Sequence, residues 1–184
     1  MNYMKKNFTL IEMLVVIAII CILAGLVFPA VGLVRDKAKM SKAHTECSSL
    51  KTAIVSYEAE YACWPCKISG DKDALVADSD YKDMCKRLAG DNTKKITFFE
   101  PDAKYDETKG FLDPWENKYQ VIVDVDFDNK LDNSTLKTAA QLSSFGAQSY
   151  LHSRVAVFSF GVKDGKSSEI EKYVKTGKLI SSWK

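Results

Sequence analysis

Three short constellations in this 184-residue chain carry side chains able to do chemistry. The first is acidic: Asp124, Asp126 and Asp128 alternate along DVDFDNKLD, with Asn129, Leu131 and Asp132 at the sixth, eighth and ninth positions. Oxygen ligands at alternate positions, a residue tolerant of a left-handed turn and a later carboxylate reproduce most of an EF-hand-type calcium loop. The twelfth position is Thr135, where such loops carry a bidentate Glu. The same residues also read as an edge strand, with Val123, Val125 and Phe127 inward and the aspartates in water. On that strand three like charges would share one face, which is unfavourable without a counter-ion. Calcium loop and solvated strand both remain open.

The second constellation is Cys63-Trp64-Pro65-Cys66. A CxxC pair becomes redox-active when a following helix N-terminus stabilises its first thiolate in a βαβ setting. Here a long helical pattern precedes the motif and no strand does, which favours a structural disulfide or two separate bridges. Of the five cysteines, Cys21 lies in an apolar run, leaving Cys47, Cys63, Cys66 and Cys85 as disulfide candidates with three pairings. The two histidines, His44 and His152, lack ligand-like neighbours. No GxSxG, phosphate-cradling glycine loop or paired base and nucleophile occurs, so the chain does not read as an enzyme.

The third is a single residue, Glu12, and its setting gives it meaning. From Met13 to Val34 the chain runs 22 residues without a charge, and a membrane crossing takes about 20 apolar residues. A signal-peptide core is shorter, about 7 to 15 residues, and Ile20 before Cys21 is too large for a lipobox-like site. An ionisable group at such a helix end is costly and calls for a positive partner. Lys6 lies about 9 Å back along a helix axis. Cleavage between Asn7 and Phe8 would create a nearer cation, the new α-amino group, on this chain or on an identical neighbour. Lysines 5 and 6 on one flank are matched by Arg35, Lys37 and Lys39 on the other, so charge does not fix the orientation.

The elements that position these groups follow from periodicity. Ala43, Cys47, Leu50, Ile54, Tyr57 and Tyr61 recur at spacings of four and three, the seam of a helix with one buried face. Phe8 to about Ala62 therefore reads as one helix of roughly 80 Å, half in lipid and half the spine of a head, with Pro65 limiting it and Pro29 a place to kink. Tyr81 to Leu88 predicts a short helix burying Met84, Cys85 and Leu88, and Lys95 to Glu100 a brief strand. Asp113-Pro114 opens a turn, with Asn117 suited to its less common conformations. Strands are expected over Tyr119 to Asp126, Arg154 to Gly161 and Leu179 to Trp183.

KKNFTLIEMLVVIAIICILAGLVFPAV resembles the N-terminal segment of type IV prepilins and type II secretion pseudopilins: a basic leader, Phe at the first mature position, Thr-Leu-Ile-Glu, then an apolar helix carrying Pro29. Asn7 stands where the family usually has Gly. SLKTAIVSYEAEYACWP, DPWENKY and RVAVFSFG followed by Asp164-Gly165 are similar to segments of the major pseudopilin, with Glu116 in place of the usual Gly and Lys118 of the usual Pro. The resemblance implies the pilin fold, an α+β protein whose long N-terminal helix packs against a small antiparallel sheet. It divides the chain into a leader (1–7), a transmembrane and assembly helix (8–34) and a globular head (35–184).

It also implies a function. A prepilin peptidase would cut between Asn7 and Phe8 on the cytoplasmic side and methylate Phe8. The Phe8–Val34 helix would then pack against identical and related subunits with Glu12 facing an amino terminus, through an inner-membrane assembly platform. The expected product is a structural filament subunit, most similar to the major pseudopilin, in the inner membrane with its head in the periplasm. The alternatives are a type IV pilin for adhesion, motility or DNA uptake and, from another class, a membrane-anchored thiol oxidoreductase using Cys63 and Cys66. Major pseudopilins bind calcium through a loop near their C-terminus, so the likeness implies Ca2+ without designating Asp124, Asp126 or Asp128. The +2 formal charge of the chain is too small for a nucleic-acid footprint.

Overall fold

The structure is a computed structural model that describes residues 9–68, 72–100, 105–106, 108–132, 135, 150–161 and 180–183. The leader, Asn7, Phe8 and the segment 162–179 lie outside the described residues. The chain divides into two compact units, Met1–Lys39 and Met40–Lys184. Helix α1, Leu10–Tyr61, contributes to both.

In the first unit, α1 exposes large apolar side chains: Leu10, Ile11, Ile17, Ile22 and Phe28 each leave more than half of their surface open. The backbone stays helical through Pro29. Among the described residues no helix is long and apolar enough to cross a membrane. The side chains of residues 26, 27, 29, 30 and 33 lie outside that description, so the crossing expected for 13–34 is not reached by the described residues alone.

In the second unit the expected seam forms the core. Ala43, Cys47, Leu50, Ile54 and Tyr57 are buried, joined by Ala53, and Tyr61 is half-buried. The helix ends at Tyr61 because Ala62 turns left-handed (φ 53°) while its N–H still reaches Glu58 O at 2.7 Å. Pro65 comes after the stop. After β1 (Ala74–Leu75), α2 spans Asp78–Leu88 and buries Tyr81, Met84, Cys85 and Leu88, beginning a few residues before the predicted start. Acidic Asp78 and Asp80 sit in its first turn and basic Lys86 and Arg87 in its last, the favourable sense for the helix dipole.

The main sheet is antiparallel, ordered β1-β4-β7-β8, with β4 at Gln120–Val123, β7 at Val155–Ser159 and β8 at Ile180–Ser181. Val121, Val123, Val155 and Val157 pack with α1 and α2, while Ile122, Ala156 and Phe158 meet Leu131, Leu151 and Trp183 on the other face. Burial on both faces explains why these strands read as continuous apolar runs. Two two-stranded antiparallel pairs, β2 (Tyr105–Asp106) with β3 (Gly110–Phe111) and β5 (Leu131–Asp132) with β6 (Tyr150–Leu151), complete the described part.

Two sequence expectations need correction. Residues 95–100 form no strand: the N–H groups of Phe98 and Phe99 both reach Leu88 O (2.8 and 3.2 Å), and Ile96 N donates to Asn92 Oδ1 at 3.0 Å. Buried Asn92 also donates to Arg87 O and Ile96 O, so it organises this segment as a loop against α2. The strand expected over 119–126 ends at Val123, and the chain then curls, with Phe127 (φ 59°) and Asn129 (φ 63°) left-handed. Phe127 is half exposed, so the inward edge-strand reading does not hold.

Candidate functional site: the N-terminal segment and an acidic cluster

At the start of α1, Glu12 folds back on its own chain. Its Oε2 accepts from Thr9 N (2.8 Å) and Thr9 Oγ1 (2.6 Å), and Glu12 N donates to Thr9 Oγ1 at 3.3 Å. This is a capping box, in which Thr9 and Glu12 satisfy helix-start donors reciprocally. It accounts for a polar pair at the mouth of an apolar helix in local terms. Pairing of Glu12 with an amino terminus involves Phe8, outside the described residues.

The acidic residues are sorted differently from their order in sequence. Carboxylate oxygens of Asp73, Asp124 and Asp126 lie within 4.8 Å of one another. Asp124 and Asp126 were candidates from sequence; Asp73 was not, because it sits in a charged stretch without a pattern. Pairing of Ala74 with Val123 sets Asp73 beside Asp124. Asp128 instead accepts from its own loop, Lys130 N at 2.8 Å, and pairs with Lys130 Nζ at 3.8 Å. Asn129 serves through its backbone, donating to Asp124 Oδ2 at 2.9 Å, and Asp132 N donates to Asp73 Oδ2.

The loop is held from several sides. Asp124 N donates to Arg154 O (2.9 Å), and Trp64 Nε1 to Asp124 O (3.0 Å). The Trp64 ring stacks on Phe127 with centroids 5.8 Å apart. The Arg154 guanidinium lies over both rings at 5.4 and 5.3 Å while bonding Glu58 at 2.9 Å. Asp124 is wholly buried, and Asp73 Oδ1 and Asp124 Oδ1 have no hydrogen-bond partner. Burial, reinforced by neighbouring aspartates, pushes the Asp73 carboxyl up to about 6 and moves Asp124 above the usual carboxylate range. Two unit charges about 4.8 Å apart repel by roughly 3.5 kcal/mol at an effective dielectric near 20.

The cysteines are all free thiols. Burial pushes Cys85 up to about 11 and Cys66 up to about 12, away from the thiolate a redox site needs. Cys85 has a packing role: a Cβ on Gly110 (φ 88°) would sit 2.7 Å from its Sγ, so the sulfur fills the space that glycine leaves. Cys47 Sγ lies 3.9 Å from Ile180 O. Cys63 is exposed in the bend after α1, and the next helix begins only at Asp78. None of the three bridge pairings is formed, and among the described residues no helix N-terminus is supplied to the CxxC.

The turn at Asp113 is a second site where sequence motifs meet. Buried Asp113 accepts from Trp115 N (2.9 Å), Asn117 N (2.8 Å) and Ser159 Oγ (2.5 Å), and Ser159 Oγ accepts from Gly161 N at 3.1 Å. DPWENKY is thereby bolted to the end of RVAVFSFG. The left-handed position in this turn is Glu116 (φ 72°), not Asn117.

An apolar helix with a capped, acidic start defines the class: residues 8–28 match the family model described as the prokaryotic N-terminal methylation motif, and the chain resembles type IV prepilins and pseudopilins. Among particular relatives, the type IV major pilin protein PilE of Neisseria gonorrhoeae is 38% identical over 65 residues, 35% of this chain and 39% of that pilin. A fimbrial protein of Neisseria meningitidis serogroup A is 38% identical over 79 residues, covering 43% and 45%. The type II secretion system core protein G of Klebsiella michiganensis is 27% identical over 123 residues, 64% of this chain and 73% of that protein. The chain spans less than half the length of the pilins it matches. These relatives are named as pilin, fimbrial and secretion-system core proteins, not as enzymes. No solved structure matches the chain.

Proposed function

We propose that the protein is a structural subunit of a type IV pilus-like filament, of the type II secretion pseudopilin kind. The observation that carries the reading is the start of α1, where large apolar side chains from Leu10 to Phe28 are exposed and the first turn holds Thr9 and Glu12 within a methylation motif. A helix apolar on all sides finds its stable setting in lipid or among other such helices. In this reading the leader is removed between Asn7 and Phe8 and Phe8 is methylated. Residues 8–34 lie in the inner membrane, the head is periplasmic, and Glu12 passes from its own Thr9 to the amino terminus of a neighbouring subunit. Likeness to core protein G over 73% of its length supports the pseudopilin over a pilus used for adhesion, motility or DNA uptake.

Mass spectrometry of the membrane-extracted protein tests the processing step: a chain beginning at methylated Phe8 is expected, and an intact Met1 overturns it. Glu12→Ala should leave membrane insertion unchanged, since removing a charge makes the helix more apolar, and should abolish filament assembly. Normal filament yield from that variant removes Glu12 from the proposal.

A further inference from the structure

We propose that Asp73, Asp124 and Asp126 form a site for one divalent cation, calcium, which clips the segment before β1 to the loop after β4. Each of the two inner aspartates has the same arrangement: one oxygen is fixed by a backbone N–H (Asp132 N on Asp73, Asn129 N on Asp124), and the other is buried with no hydrogen-bond partner. A polar atom in that state is rare, because burial without a partner forfeits its hydration. The Asp124 side chain is wholly buried and its backbone is held at both ends, by Arg154 O and by Trp64 Nε1, so it has little freedom to turn toward water.

The direct ion pairs of the cations nearby go elsewhere, Arg154 to Glu58 and Lys130 to Asp128, and Arg154 acts on Asp124 through space. The spacing suits a hard ion. Calcium–oxygen distances of about 2.3–2.6 Å let two ligand oxygens on one ion lie up to about 5 Å apart, and the three carboxylate groups meet within 4.8 Å. Exposed Asp126 leaves one side open for water ligands, as calcium sites allow. The ligand set is thus built by strand pairing across the sheet edge, and Asp128 and Asp132 lie outside it.

The experiment uses the full-length chain in detergent micelles. Calcium is titrated by calorimetry, and terbium luminescence is excited through Trp64, whose indole nitrogen touches the Asp124 backbone. One saturable site is expected, with calcium displacing terbium. Asp73→Asn and Asp124→Asn should each weaken binding by about tenfold or more, while Asp128→Asn stays within about twofold of the parent. Far-UV circular dichroism checks folding; should Asp124→Asn not fold, exposed Asp126→Asn takes its place with the same expected loss. Absence of calcium heat in the parent overturns the proposal, as does parental affinity in Asp73→Asn. Equal loss in Asp128→Asn and Asp73→Asn would move the ion to a linear loop and overturn it as well.

Discussion

Asp113 and Asp124 are both wholly buried and both open a turn whose fourth residue is left-handed, Glu116 in one and Phe127 in the other. Their carboxylates nevertheless live differently. Asp113 accepts two backbone N–H groups and a serine hydroxyl, using both oxygens. Asp124 uses one oxygen on Asn129 N and leaves the other without a partner beside two further aspartates. A buried charge that the fold itself satisfies is a structural bolt, whereas one left half-satisfied marks a place where something else completes the bonding.

The largest expected effect separates the two by truncation. Asp113→Ala orphans three donors at once and should destabilise the head by about 3–5 kcal/mol, with or without calcium. Asp124→Ala in chelator should change stability by no more than about 1 kcal/mol, because one lost hydrogen bond is offset by relief of repulsion. Urea unfolding of the full chain in detergent measures both, and equal losses would dissolve the distinction.

A second, intermediate effect is in pH. Burial holds the Asp113 carboxyl above its ordinary value despite the three donors. The native state therefore binds this proton more tightly than the unfolded chain does. Its contribution to stability is complete below the unfolded carboxylate pKa of about 3.9 and is lost as pH rises through the raised native value. Asp113→Asn should accordingly show a shallower fall in melting temperature from acid toward neutral pH than the parent at the same calcium concentration. Superimposable profiles would mean that Asp113 titrates normally.

The smallest effect concerns the two left-handed positions. Glu116→Gly removes the cost of a side chain at φ 72° and should stabilise the head by about 0.5–1 kcal/mol. Phe127→Gly should show no such gain, since it removes the ring that stacks on Trp64 and lies under Arg154. A matching gain at both positions would mean that Phe127 contributes nothing by stacking.

What was legible in the chain follows the range of the interactions. The α1 seam, α2, and the β4 and β7 runs could be read because their burial repeats within a few residues. Thr9 and Glu12 also carry a local signal, the T-x-x-E spacing of a capping box, which competes with the filament reading of the same pair. Asp73 gave no signal at all: its place in the cluster depends on β1 pairing with β4, a long-range event invisible in its own neighbourhood. Lys95 to Glu100 misled because aromatic and β-branched residues favour strands in general, whereas Asn92 and Leu88 O draw their backbone groups into a loop. The cysteines looked like an even set of bridges, but the space around Cys85 is set by Gly110, a contact no count of cysteines reveals.

Among the described residues, one border of the main sheet is β1, only two residues long. A short border offers few free N–H and C=O groups to a strand from another molecule, which is how soluble sheets avoid templating cross-β growth. For a protein proposed to spend its working life crowded against copies of itself, that brevity is a safeguard. It leaves the apolar helix as the adhesive surface and keeps ordered polymerisation from sliding into aggregation.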